Sequence, residues 1–519
     1  MMIIASNQII TFIKISILNI PKKSYKMNLN ISFIRHSIAL VIPDLIKILT
    51  TVLTSIFIAK ILGPKNLGIY STAALVMMYG VLLHVGIKQA TGLRIPIMIG
   101  KGLKEEVETC LSFSLGAILS ILLFFLPLFI LFSIFYIDNE MLFFGMISTV
   151  VALFLYEVYN LSEAKARLNY RIKTVFYSQI ILVTSRSALI ISGAYFYGLY
   201  GAFLAISISY LPSLFYLLII KNESIKIKWN LAETKSLINT GFPLFFAGMM
   251  MTLFLSLDRW FILSSEGIER LGFYTFIVGI SSIIATIPQK IASFMSQYIR
   301  EAVGANVSKQ EIARATGFLC LTMLIILLPI ILMIYHFGIF LISGYLTAYK
   351  ESLPLLDILI FSSFFLTGFH FYSQYLIGLG AKKEIIYAQS IGLVLAIFLY
   401  IIALSFGGSL YIISIANLFS SLFLSISMAI FVKKTGVTFG DIKLIPSILI
   451  IFVSTLVFKI IDPSGIINFI TFQEGLLELL KLLFIDICLL VSLLLLIWKL
   501  NMISKVKGFL QRDFRFKES

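Results

Sequence analysis

The chain has 519 residues, of which 59% are apolar and only 13% charged, and a formal net charge of +16. Soluble domains usually carry about 45–50% apolar and about 25% charged residues, so a string of soluble domains is excluded. The basic surplus does not call for nucleic acid, because multi-pass membrane proteins carry the same excess as an orientation signal.

Residues 1–26 contain a short apolar stretch with no basic segment ahead of it and no A-x-A site after it. It is a poor signal peptide and too interrupted to span a bilayer. Met27 is an alternative start that would leave residues 1–26 untranslated. From there on, spans of about 20 apolar residues are expected in chain order. They fall at 36–58, 69–92, 108–133, 141–160, 174–193, 198–220, 237–263, 272–299, 313–343, 353–379, 385–404, 409–432, 444–460 and 474–498. The ninth is long enough to tilt or to bend near Pro329.

With the N-terminus inside, thirty of the 41 Lys and Arg fall on inner segments and five on outer loops. The outer five are Lys60, Lys65, Arg270, Lys350 and Lys459. That asymmetry predicts an even number of spans with both ends in the cytoplasm. All outer loops are short, leaving no large external loop to carry a catalytic centre. Cys110, Cys320 and Cys488 lie far apart inside apolar runs, with neither disulfide nor metal spacing.

The first and seventh spans resemble one another. One reads ALVIPDLIKILTTVLTSIFIAKILGPKNLGIY (39–70), the other INTGFPLFFAGMMMTLFLSLDRWFILSSEGIERLGFY (238–274). Pro43 matches Pro243, while Gly68 and Tyr70 match Gly272 and Tyr274. Six intervening spans leave both copies in the same orientation, so the repeat is parallel and its axis runs along the membrane normal. This predicts an all-α membrane protein of about fourteen helices, with two pseudo-symmetric six-helix lobes and two helices added at the end. The expected layout is an N-terminal cytoplasmic extension (1–35), an N-lobe (36–220), a cytoplasmic linker (221–236), a C-lobe (237–432), two extra spans (433–498) and a basic tail (499–519).

The segment ILGPKNLGIY (61–70), followed by a second span ending near VGIKQATGLRIP (85–96), resembles polysaccharide exporters of the multidrug/oligosaccharidyl-lipid/polysaccharide (MOP) superfamily. The chain is similar to the Wzx-type flippases of O-antigen or capsule repeat units over about residues 36–435. The resemblance implies a MATE-like fold and alternating access. It implies an undecaprenyl-diphosphate-linked oligosaccharide as substrate, a polymerase and a chain-length regulator as pathway partners, and residence in the bacterial cytoplasmic membrane. Because the diphosphate is anionic, the cavity it implies is cationic.

Ionisable residues inside spans are costly and are functional candidates by default. Lys47 and Arg186 lie deepest, near the middle of the first and fifth spans. Both suit a diphosphate cradle, although Asp44, one turn before Lys47, could neutralise it in a structural ion pair. Lys88 and Lys290 fall at similar depth after Gly68 and Gly272, near the inner mouth. There they would either capture a headgroup or snorkel to the interface. Asp258 and Arg259 suit a local ion pair or an outer gate. Glu157 is expected to pair with Lys165 or Arg167, and with Asp44 and Asp258 it is a candidate for gating or ion coupling. His370 reads as a core residue before a proton relay. Asp357, Lys481 and Asp486 sit in later spans, the last two close enough to bridge within one helix. The basic amphipathic loop 163–173 suits the anionic inner leaflet.

No G-x-x-x-x-G-K-[ST], H-E-x-x-H or C-x-x-C pattern occurs. No catalytic residue, cofactor or metal is therefore expected, and the driving force must be a gradient, the membrane potential or consumption of product. Two alternatives stay open: a cation-coupled drug exporter of the same fold, disfavoured by the basic interior, and a membrane polymerase or acyltransferase, disfavoured by the short outer loops.

Overall fold

The computed structural model describes residues 31–100, 103–134, 139–168, 171–304 and 307–438, together with Gly440 and Asp486. Met27, Lys481, Cys488, the side chain of Asp44 and, Asp486 apart, the thirteenth and fourteenth spans lie outside these residues. All regular structure among the described residues is helical. Ten helical segments there are long and apolar enough to cross a membrane, and the chain is a multi-pass membrane protein.

The long helices are α1 (Ile31–Gly80), α2 (Ile87–Gly100), α3 (Lys104–Ile134), α4 (Glu140–Leu168) and α5 (Ile172–Ile208), followed by the short α6 (Leu211–Phe215). The second half holds α7 (Leu231–Ser265), α8 (Gly267–Gly304), α9 (Lys309–Phe340), α10 (Leu353–Gly378), α11 (Lys382–Ser405) and α12 (Leu410–Lys433). Two of the membrane-competent segments, Ile46–His84 and Lys173–Ile220, have 39 and 48 residues. That is about twice the length one crossing requires. Each is interrupted at a glycine that leaves helical dihedrals, Gly63 at φ 69° and Gly198 at φ 58°. Left-handed φ is cheap only for glycine, which is why the breaks sit there.

Residues 221–230 precede α7 without regular structure, and Asn230 caps α7 by accepting from the backbone N–H groups of Ala232 (2.8 Å) and Glu233 (3.3 Å). Ser308 caps α9 likewise, accepting from Glu311 N–H at 3.3 Å. Pro329 lies inside α9 without breaking it. Elsewhere Thr and Ser hydroxyls return to carbonyls one turn back, as Thr72 does to Gly68 and Thr149 to Gly145. In a lipid environment such internal bonds replace water.

Within the first half α1 packs along α5 and α4 along α5; within the second, α10 packs along α12 and α8, and α11 along α12. Two seams join the halves, α1 on α8 and α2 on α7. The α1–α8 seam obeys the sequence repeat. A side chain at Gly68 would collide with the Ile268 carbonyl, and one at Gly272 with the Pro64 carbonyl. Both pairs are related by the same offset of 204 positions, as are Ser71 and Thr275, whose hydroxyls meet at 2.9 Å. Equivalent residues of the two copies therefore contact each other reciprocally, the signature of a local two-fold relation.

The α2–α7 seam has a different device. The helix breaks at Val81–His84 into a 3-10 turn, Val85 takes φ 43° and Gly86 φ 91°. A left-handed β-branched residue is a genuine backbone outlier. His84 Nδ1 accepts from the Gly86 N–H at 3.2 Å and so satisfies a donor freed by the break. Gly86 lies so close to Gly241 of α7 that neither tolerates a Cβ.

Candidate functional site: cations and aromatic rings in the first half

Arg186 lies in α5 and is half-buried. Its Nη1 donates to the Tyr210 hydroxyl at 3.2 Å, and its guanidinium stands 5.8 Å from that ring's centre. Tyr210 is almost fully buried and packs edge-on against Tyr156 of α4, with centroids 5.9 Å apart. On the other side of Tyr156 stands Lys88 of α2, its Nζ 4.8 Å from the ring centre. The result is a run Lys88–Tyr156–Tyr210–Arg186 contributed by three long helices and the turn after α5. The rings face the cations with their π-electrons, an attraction that strengthens away from water.

The two cations differ in what neutralises them. Lys88 is paired with Glu157 at 2.7 Å, and the glutamate side chain is only 2% exposed against 22% for the lysine. Glu157 does not pair with Lys165 or Arg167, as its sequence neighbourhood suggests. Lys165 meets Glu108 (3.5 Å) and Arg167 meets Glu163 (2.5 Å). The reason is helix direction: Glu157 points into the bundle toward α2, while the other two lie at the end of α4. Among the described residues Arg186 has no carboxylate within ion-pair distance. Its remaining N–H donors suit a planar, oxygen-rich anion.

Lys47 is exposed on α1 and Lys290 half-buried on α8; neither belongs to this run. In the second half Asp258 is buried at 4% exposure. It accepts from the Tyr274 hydroxyl (2.5 Å), the Asn417 amide (2.8 Å) and the backbone N–H of Arg259 (2.8 Å). Among the described residues no side-chain ion pair joins Asp258 to Arg259, and the Nε of Arg259 is buried without a hydrogen-bond partner. The sequence leaves a local ion pair open here; the carboxylate is taken up by Tyr274 and Asn417 instead. His370 is buried on α10 with its ring edge-on to Phe369, as expected of a core residue. Asp486 meets His336 Nδ1 of α9 at 2.9 Å, both side chains being buried; its expected partner Lys481 lies outside the described residues.

Two sets of polar contacts tie the halves, one at Tyr79 deeper along α1 and one at Ala59 and Lys60 beside Gly63. Tyr79 meets Ser256, and Trp260 Nε1 donates to the Tyr79 hydroxyl at 3.0 Å. Lys60 Nζ donates to the Tyr345 carbonyl at 2.7 Å and Tyr349 to the Ala59 carbonyl at 3.2 Å. At the opposite end Arg94 of α2 donates to the Ser236 hydroxyl and the Thr240 hydroxyl of α7, both at 2.7 Å.

This helical arrangement is that of known transporters. An inward-facing MATE-family multidrug transporter of the MOP superfamily superposes with a TM-score of 0.63 at 14% identity, covering 77% of this chain and 99% of its own. The lipid II flippase MurJ in an inward closed conformation gives 0.61 at 15% identity over 90% of this chain and 99% of its own. A mutant of the Vibrio cholerae MATE transporter VcmN gives 0.52 at 13% identity, covering 77% and 96%. No protein-family model and no curated relative matches the sequence. The chain therefore has the fold shared by MATE exporters and MurJ, and these neighbours are transporters and flippases, not enzymes.

Proposed function

We propose that this protein is a flippase moving an undecaprenyl-diphosphate-linked oligosaccharide across the bacterial cytoplasmic membrane by alternating access. Its product would feed O-antigen, capsule or exopolysaccharide synthesis. The observation that carries the reading is Arg186, a cation inside the helical bundle with no carboxylate partner among the described residues. A diphosphate would supply the missing anion, and the tyrosine run behind Arg186 would hold the guanidinium oriented. The extent of the MurJ likeness, 90% of the chain against 77% for the MATE exporter, supports a body longer than the MATE core. On this reading residues 36–220 and 237–432 are the two lobes, residues 433–498 the extra spans, and both termini lie in the cytoplasm. The Gly63 end is then the outer side, held shut in this conformation. Lys47, Lys88, Lys290 and Arg259 remain candidates for successive contacts with the headgroup, and Asp44, Asp258 and Glu157 for coupling.

A cation-coupled drug exporter is the second reading. It is favoured by the Lys88–Glu157 pair, which cancels one interior charge and makes the cavity less cationic than the sequence implies. One experiment separates the two. The Lys47→Ala/Arg186→Ala double variant, present at normal level in the membrane, should abolish surface polysaccharide and leave drug susceptibility unchanged. Normal surface glycan together with raised drug susceptibility would support the exporter.

A further inference from the structure

The ends of α10 and α12 and the starts of α9 and α11 enclose an open cavity of about 560 Å³. Four lysines line it, Lys309, Lys382, Lys383 and Lys434, against a single carboxylate, Glu384. Among the described residues none of the four lysines is in an ion pair. Only Lys434 has a charge-related contact, over the Phe431 ring at 4.2 Å.

The sequence repeat supplies the comparison that makes this unusual. The corresponding helix ends of the first half are also basic, but there three of the basic residues are paired with acids. Lys165 meets Glu108, Arg167 meets Glu163, and Arg171 meets the buried Glu223 at 2.8 Å. In the second half Glu311 opens α9 and Glu384 opens α11, but among the described residues neither forms an ion pair with the four lysines. Like charges gathered round one concavity repel each other, and neutralising counter-charge is drawn to it from outside.

The cavity is built, not a chance gap between loops. The Tyr375 hydroxyl, from a buried α10 residue, donates to the Lys309 carbonyl at 3.2 Å and lies 3.4 Å from the Thr435 hydroxyl. One side chain thus fixes three walls, and Gln310 adds a bond to the Gly436 carbonyl at 3.5 Å. The turn at Gly380 (φ 71°) leads into α11. The N-cap of that 24-residue helix is Ala381, which offers no side-chain oxygen to the first-turn amides. Those N–H groups and the positive end of the helix dipole add to the lysines.

We infer that this cavity is a binding site for a phosphate group, separate from the interior cations and independent of the flippase reading. Lipid headgroups at the membrane surface and soluble phosphates present the same chemistry to it. Neutralising two lysines should weaken binding by about thirtyfold if each contributes as a basic residue does at an anionic surface.

The test uses the full-length protein purified in a neutral detergent. Native mass spectrometry counts bound phosphatidylglycerol against phosphatidylcholine, and inorganic pyrophosphate is titrated separately. Lys382→Gln/Lys383→Gln is compared with Lys173→Gln/Lys226→Gln, which removes the same charge from exposed positions elsewhere. Preferential phosphatidylglycerol binding, lost in the first variant and kept in the second, establishes a lipid headgroup site. Pyrophosphate binding with the same dependence, without lipid preference, establishes a site for soluble phosphate. Equal loss in both variants, or no binding of either probe by the unaltered protein, overturns the inference.

Discussion

Replacing Lys88 by Met should destabilise the protein more than replacing Glu157 by Gln, and the structure sets the order. The two side chains meet at 2.7 Å, but the carboxylate is 2% exposed and the ammonium 22%. Losing the lysine strands a carboxylate where water cannot reach it. Breaking a buried pair in this way costs about 3–5 kcal/mol, and the part-exposed lysine places K88M near the lower end, at about 3 kcal/mol. Losing the glutamate charge leaves Lys88 with partial access to water and with the Tyr156 ring at 4.8 Å. A cation–π contact of this kind is worth about 0.5–2 kcal/mol, so E157Q should cost about half as much as K88M or less. Combining K88M with E157Q removes the stranded charge and should recover most of the K88M loss. The assay is thermal denaturation of the four detergent-solubilised proteins at one scan rate, since membrane-protein unfolding is commonly irreversible. An E157Q loss equal to or larger than that of K88M, or strict additivity in the double variant, would refute the reasoning.

Two further outcomes follow from the seams and from the buried acid. Ser71 and Thr275 place their hydroxyls 2.9 Å apart across α1 and α8, so Ser71→Cys/Thr275→Cys should form a disulfide under oxidation. The cross-link should stop transport and a reductant should restore it; Cys110 and Cys320 are buried and should not compete. Full transport with the cross-link complete would contradict a moving seam. Asn417→Ala removes one of three donors from the buried Asp258, and a lowered denaturation midpoint corresponding to about 1–3 kcal/mol is expected. An unchanged midpoint would show that the amide is dispensable.

Much of the architecture was legible in the sequence because membrane helices announce themselves by length and hydropathy, and because the repeat survives at the positions where the halves touch. Gly68 and Gly272 were recognisable as a pair, and they meet reciprocally across the α1–α8 seam. What escaped was pairing across distance. Glu157 and Lys88 are separated by 69 positions, so local spacing favoured the wrong partners at Lys165 and Arg167. Asp486 meets His336, 150 positions away, a contact that no local spacing announces. Tyr156 and Tyr210 gave no signal at all, since aromatic residues are ordinary in apolar helices and only the fold stacks them between two cations. The break at Val85 was hidden for a related reason: the sequence there reads as uninterrupted apolar helix, and the crowding between Gly86 and Gly241 is a tertiary effect.

The central claim, that Arg186 serves a diphosphate-linked glycan crossing the bilayer, is tested most directly in proteoliposomes. The purified protein is reconstituted with a fluorescent polyprenyl-diphosphate oligosaccharide, and the label reaching the far leaflet is measured by its accessibility to a membrane-impermeant quencher. The account predicts flipping by the unaltered protein, loss with Arg186→Ala and partial recovery with Arg186→Lys, which keeps the charge but not the bidentate fork. Equal flipping by the unaltered protein and Arg186→Ala would contradict it.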